Sequence, residues 1–211
     1  MSKTVIFSYR VSHDTGLAPC ITKALISLAC CKGGQIRKGK LVYTGLRYHI
    51  GEFVNSHKDF DVYIVGIYKN RLLYAAKIEK VITMMEYYAN KEYSHRIDSL
   101  YAVEDSSLTR RRDYLPSVHS ESENQMRDIA GKYVLLSSNF YYAGEKAREI
   151  PTELLEMLPK NREYLPKMPY DKQDNQELLA YVNGYLRGEP IIAGKPHDPI
   201  TGVGCKGCNQ R

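Results

Sequence analysis

Two apolar runs, Val62–Tyr68 and Arg71–Ile78, are separated by Lys69-Asn70 alone. No other feature of the sequence restricts its fold as tightly. Two extended segments joined by two residues must turn back on each other, and Asn tolerates the positive φ that such a turn demands. An antiparallel hairpin is therefore expected here. Upstream, Thr4–Val11 alternates, with Val5, Phe7, Tyr9 and Val11 on one side, which predicts a further strand. Ile21, Leu25, Leu28 and Ala29 recur at helical spacing after Pro19, so Pro19–Cys31 reads as a short helix stopped by Gly33-Gly34. Lys38-Gly39-Lys40 reads as a turn before a strand at Leu41–Thr44, and Gly45–Phe60 as a loop holding Arg47, His49 and His57. Val81–Asn90 reads as a helix, and Tyr93–Asp128 as a long polar excursion around a strand at Ser99–Val103. Lys132–Ser137 is a strand and Pro151–Leu158 a helix. Asp174 with Glu177 opens a final helix, whose stripe of Leu178, Leu179, Val182, Tyr185 and Leu186 ends at Gly188.

Short strands with irregular crossovers predict an α+β fold rather than a doubly wound parallel sheet. The expected form is a small open β-barrel or strongly curved mixed sheet, with helices packed at its ends and a C-terminal helix added. Residues 1–158 form the domain, 159–188 a proline-containing linker and the C-terminal helix packed on the domain, and 189–211 a Gly/Pro-rich tail. Hydrophobic residues at 43% and charged residues at 26% are ordinary for a globular chain and exclude intrinsic disorder, collagen and long coiled coils. No apolar stretch approaches the ~20 residues that span a bilayer, so no membrane partner is expected. Of the aromatic residues 18 are Tyr and 4 are Phe, with no Trp, which predicts many half-buried rings with a polar tip.

Charge is unevenly placed. Residues 1–50 carry eight basic side chains and one acid, Asp14, for a net +7, whereas the remaining residues sum to −1. Such concentration favours a polyanionic partner, because Lys and Arg near phosphates release counterions. Arg37, Lys38 and Lys40 bracket a strand entry and, with Arg47, are the expected phosphate contacts. Cys20, Cys30, Cys31, Cys205 and Cys208 are an odd number without a leader-like start, which predicts reduced thiols and a cytoplasmic setting. Cys205-Lys-Gly-Cys208 lacks a second pair, with His197 the nearest helper, so no metal is expected there. Cys30 and Cys31 close the predicted helix, where the dipole disfavours a thiolate, and read as small apolar packing residues. His13, His49, His57, His95 and His119 show no ligand spacing. Phosphate-loop, zincin and nucleophile-elbow motifs are absent, so neither a cofactor nor a catalytic residue is assigned.

Four segments, taken in order, carry a resemblance. They are Phe7-Ser8-Tyr9-Arg10-Val11 followed by Asp14, Gly16 and Ala18-Pro19; Leu28-Ala29-Cys30-Cys31-Lys32 followed by Ile36-Arg37; Leu73-Tyr74-Ala75; and Val134-Leu135-Leu136-Ser137 with Phe140-Tyr141-Tyr142, Gly144 and Ile150-Pro151. Over roughly residues 4–158 this pattern resembles the nucleotide modification associated domain 2 family, whose members accompany bacterial and phage systems for hypermodified DNA bases. The resemblance implies a nucleic-acid-linked role with no defined reaction, and the expected architecture by analogy is a PUA-like or EVE-like barrel. The leading expectation is a module that binds nucleic acid, DNA above RNA, or a modified nucleotide, and recognises the modified base. Arg10, Asp14, Tyr141 and Tyr142 are the expected ligand-binding residues, with Tyr9 in the core. The alternatives are an enzyme using His13, Asp14 and a tyrosine, or an adaptor with protein partners in a DNA-modification system.

Overall fold

The computed structural model describes residues 3–22, 24–116, 118–158 and 174–200. In chain order its elements are β1 (Lys3–Arg10), β2 (Cys20–Ile21), β3 (Ile26–Leu28), β4 (Gly34–Arg37), β5 (Lys40–Thr44), α1 (Leu46–Ser56), β6 (Phe60–Tyr68), β7 (Arg71–Lys77), β8 (Lys80–Thr83) and α2 (Met84–Ala89). They continue with β9 (Tyr101–Glu104), β10 (Ser107–Arg110), α3 (Ser122–Ile129), β11 (Tyr133–Ser137), β12 (Phe140–Tyr142), β13 (Arg148–Glu149), α4 (Thr152–Met157), α5 (Asp174–Asn183) and β14 (Ile191–Ile192).

The β6–β7 hairpin is the centre of the larger sheet, ordered β1-β6-β7-β12-β14, with β13 also on β7. Its turn residues Lys69 and Asn70 take φ of 47° and 63°, the left-handed pair that a two-residue turn between twisted strands requires. β1 runs parallel to β6, and β12 antiparallel to β7. A bulge between Gly66 and Ile67 lets the Tyr74 ring lie on the backbone, where a Cβ on Gly66 would meet Tyr74 Cε1 at 2.1 Å. Residues of β6 alternate between two cores, because this strand is covered on both faces. Val62 and Ile64 join Val5, Phe7, Tyr9, Leu135 and Phe140 in one cluster. Tyr63, Val65 and Ile67 join Leu154, Leu178 and Val182 of α4 and α5 in the other.

A second, wholly antiparallel sheet, β2-β3-β11-β8, stacks on the first through Ile26, Leu28 and Leu135. Its outer face, with Val134 and Leu136, packs on Tyr87, Tyr88, Tyr93, Leu100 and Tyr101. The excursion expected over 93–128 is thus the cover of this sheet. It is anchored by Arg96, whose guanidinium donates to the Cys20 carbonyl, Ser27 Oγ and Tyr87 Oη, beside Asp98 at 3.5 Å. Half-buried rings are expected, but most of the described tyrosines, among them Tyr9, Tyr74, Tyr87, Tyr101 and Tyr142, are buried. Their hydroxyls are accommodated because no buried side-chain nitrogen or oxygen among the described residues lacks a hydrogen-bond partner.

The α+β class holds, with several sheets and five helices, but the sheets do not close into a barrel among the described residues. β1 remains at one end of the larger sheet's order and β14 at the other. Pro19–Cys31 is not a helix. Ile26 and Leu28 also fit a period of two, and pairing of Leu28 with Leu135 selects the strand. Gly45–Phe60 is not a loop, because Leu46, Ile50 and Phe53 form a helical stripe that α1 buries in the central core. Thr83 and Glu86 form a capping box, so the helix expected over 81–90 starts at Met84 and the preceding residues join β8. Among the described residues no helix is long and apolar enough to cross a membrane.

Candidate functional site

Asp14 and Tyr142 meet directly. β12 alternates, so Phe140 and Tyr142 face the central core while Tyr141 takes the opposite face. The Tyr142 hydroxyl donates to the Asp14 carboxylate, 2.7 Å from Oδ1 and 2.9 Å from Oδ2. His197 adds its backbone N–H at 3.0 Å and Nδ1 at 2.9 Å, both to Oδ2. The Asp14 side chain is 0% exposed and that of His197 20%, with the Tyr68 ring 4.4 Å from the imidazole. Burial, then the Asp14 charge, push the Tyr142 phenol well above its usual value, so it stays a donor. Asp198 N–H donates to the Asp14 carbonyl as well. The cluster ties the loop after β1 to the segment after β14, and its acceptors are already engaged. Arg10 and Tyr141 lie elsewhere. Arg10 Nη1 donates to Asn70 in the hairpin turn, and Tyr141 rests on Tyr185 with ring centroids 4.7 Å apart. The four expected ligand residues therefore form one pair and two separate contacts.

The expected phosphate residues also divide. Arg37, Lys38 and Lys40 stand exposed at the tip of the β4–β5 hairpin, where Lys38 and Gly39 take φ of 51° and 70°. Beside them β5 exposes Leu41, Val42 and Tyr43, the last by 56%. Arg47 corrects the expectation: it is 0% exposed and faces inward from α1. Its Nε donates to the Cys31 carbonyl at 2.7 Å, Nη1 to the Tyr133 carbonyl at 2.5 Å, and Nη2 to the Asp128 carbonyl. A guanidinium with five rigidly placed donors suits three converging carbonyls, and no face is left for a phosphate. Arg110 is spent likewise on the carbonyls of Leu100, Leu115 and Val118.

A third cluster went unread in the sequence because its members are far apart in the chain. Cys31 Sγ lies 3.5 Å from His119 Nε2, and His119 Nδ1 lies 2.5 Å from Asp128 Oδ2. Asp128 Oδ1 accepts the Cys31 N–H at 2.7 Å, and Oδ2 accepts the Tyr101 hydroxyl at 2.9 Å. Cys30, Cys31 and His119 are the one group among the described residues with three metal-capable atoms within 4.8 Å of one another. Cys30 is fully buried and its S–H points to the Leu17 carbonyl at 3.7 Å. The helix expected to end at these cysteines is absent, so its unfavourable dipole is absent too. Cys205 and Cys208 lie outside the described residues.

The four segments quoted above converge in space. Lys32 Nζ of the second lies 5.0 Å from the ring of Tyr9 in the first, and Tyr74 of the third donates its hydroxyl to Tyr9 Oη at 2.9 Å. Tyr142 of the fourth holds Asp14 of the first. The same segments also supply all three cores, with Phe7, Leu135 and Phe140 in the first, Ala75 and Ile150 in the second, and Ala29, Val134 and Leu136 in the third. No curated protein and no solved structure matches the chain. A family model described as nucleotide modification associated domain 2 matches residues 3–201, which extends past the segments that carry the resemblance and through β14. With nearly the whole described fold inside that match, the chain belongs to the nucleotide modification associated domain 2 family.

Proposed function

We propose that the chain is a nucleic-acid-binding module of a DNA-modification system and recognises a modified base or nucleotide. The observation that carries this is the β4–β5 hairpin. Three cations at its tip, Arg37, Lys38 and Lys40, are exposed, and none of them forms an ion pair among the described residues. A two-stranded ribbon of this kind fits the major groove of DNA, and the exposed Tyr43 ring offers a base a stacking face. Family membership supplies the second support, since it ties the chain to nucleotide modification.

The test is equilibrium binding to duplex DNA, plain and carrying different base modifications, at several salt concentrations. Each phosphate neutralised contributes about 0.9 to the slope of log affinity against log salt. Replacing Arg37, Lys38 and Lys40 together by Gln should flatten that slope by roughly 2 to 3. Tyr43→Ala should cost about 1–3 kcal/mol of binding if the ring stacks on a base. An unchanged salt slope in the triple variant overturns the hairpin as the phosphate grip. Equal affinity for every modified and plain duplex overturns the recognition of a modification.

A further inference from the structure

The hairpin springs from the segment that holds the third cluster. Gly45 N–H donates to the Gly33 carbonyl at 2.7 Å and Arg47 N–H to the Lys32 carbonyl at 3.1 Å, closing the base of the hairpin just after Cys31. Cys31 and Lys32 both take left-handed backbone, with φ of 58° and 50°. For residues bearing a Cβ this conformation is strained and persists only where the surroundings enforce it. Here the Arg47 side chain grips the Cys31 carbonyl, and Asp128 grips the Cys31 N–H. The turn therefore holds a half-buried thiol in a fixed position against an imidazole, which a carboxylate orients from its other side.

We propose that Cys31 is a thiolate nucleophile with His119 as its acid–base partner and Asp128 as the positioning residue, a site for acyl transfer from an amide or ester carbonyl. Sulfur, imidazole and carboxylate stand in the order that this chemistry needs. The thiolate sulfur adds to the carbonyl carbon. The adduct collapses by breaking the bond to the leaving nitrogen or oxygen, which takes the proton from His119 Nε2, and a thioester remains on Cys31. Water then adds to the thioester and gives its proton to His119. The carbon–sulfur bond breaks, the carboxylic acid leaves, and the thiolate–imidazolium pair is restored.

The charged groups around the sulfur agree with this assignment. Burial opposes a charge on His119, but Asp128 and Cys31 outweigh it and hold the imidazole well above its usual 6.5. The adjacent Cys31 side chain, then burial, push the Cys30 thiol well above 9.0, so Cys30 stays protonated and inert. Tyr101 of β9 donates to Asp128, Arg47 of α1 faces the same turn, and Arg110 of β10 adds positive charge near Tyr101 and Asp128.

The proposal stands apart from the binding role of the hairpin, because a small reagent reads it without nucleic acid. Iodoacetamide labelling of the full native chain, with peptide mass spectrometry, gives the rate at Cys31 against pH. A thiol of ordinary pKa near 8.5 speeds up by almost a hundredfold between pH 6 and pH 8. Cys31 should change by about twofold or less over that range if its thiolate is already formed. His119→Gln should restore the steep rise and Asp128→Asn should move the profile part of the way, with near-ultraviolet dichroism confirming that both fold. p-Nitrophenyl acetate should give a burst of p-nitrophenol and an acetyl thioester on Cys31 that is lost in Cys31→Ser. A steep profile in the wild-type chain overturns the thiolate, and the absence of an acetyl-Cys31 adduct overturns acyl transfer. One equivalent of tightly held zinc, lost in Cys30→Ala, would make the cluster a metal centre and overturn both.

Discussion

Replacing Arg47 by Met tests whether this residue is a structural keystone or a surface cation. The guanidinium is 0% exposed and its three bonds end on carbonyls of Cys31, Tyr133 and Asp128, contributed by the turn after β3 and by the passage from α3 to β11. Met fills a similar volume but offers no donor. Leaving one buried acceptor without its partner costs about 1–3 kcal/mol. Three would give roughly 3–9 kcal/mol, an upper bound because each carbonyl keeps a second lone pair for other donors. Part of the loss is returned, since the variant no longer keeps a charge out of water, so a net cost of about 3–5 kcal/mol is expected. That is a large fraction of the roughly 5–15 kcal/mol that holds a domain folded. The assay is equilibrium unfolding in urea followed by tyrosine dichroism. With a slope of about 2.5 kcal/mol per molar, the midpoint should fall by roughly 1.5 M. Arg37→Met, an exposed control, should change stability by no more than about 0.5 kcal/mol. If the Arg47 midpoint moves no further than the control's, the buried bonds do not carry the turn, and the fixed placement of Cys31 loses its cause.

Tyr142→Phe removes the phenol that donates to Asp14 and should cost about 1–3 kcal/mol. It should also speed hydrogen exchange at the His197 and Asp198 amides, which bond to Asp14, and unchanged exchange there would show that Tyr142 does not hold this junction. Gly51→Ala pits local against tertiary preference in α1. Helix propensity favours Ala by about 1 kcal/mol, yet its Cβ would meet the Tyr133 ring at 2.1 Å, so the variant should be less stable by about 1–3 kcal/mol from overpacking. A rise in thermal midpoint would mean that the ring shifts freely and that α1 packs loosely on β11.

The sequence alone determined the features that local chemistry decides. Lys69-Asn70 between two apolar runs specified the central hairpin, and the left-handed pair at 69 and 70 forms there. The alternation of Val5, Phe7 and Tyr9 placed β1 with its apolar side in the core. Arg37-Lys38-Gly39-Lys40 put three cations on an exposed turn, and the quoted segments were enough to suggest the family. The Leu46, Ile50, Phe53 stripe was legible as helix and was outweighed by the polar residues between, whereas Thr83 and Glu86 marked a helix start that went unread. Only the tertiary structure decided the rest. Residues 19–31 carry apolar positions compatible with either period, and the choice fell to β11, which pairs with β3 from more than one hundred residues away in the chain. Burial of Arg47 could not be read from its charge, because its three carbonyl partners come from Cys31, Asp128 and Tyr133. Asp14 finds Tyr142 and His197 in the same way, across 128 and 183 residues. Cys31, His119 and Asp128 share no motif, and their contact exists because α3 and the loop before it fold back onto the turn after β3. Side-chain chemistry sets what a residue can do, whereas the long-range packing of two sheets sets which residues can do it together.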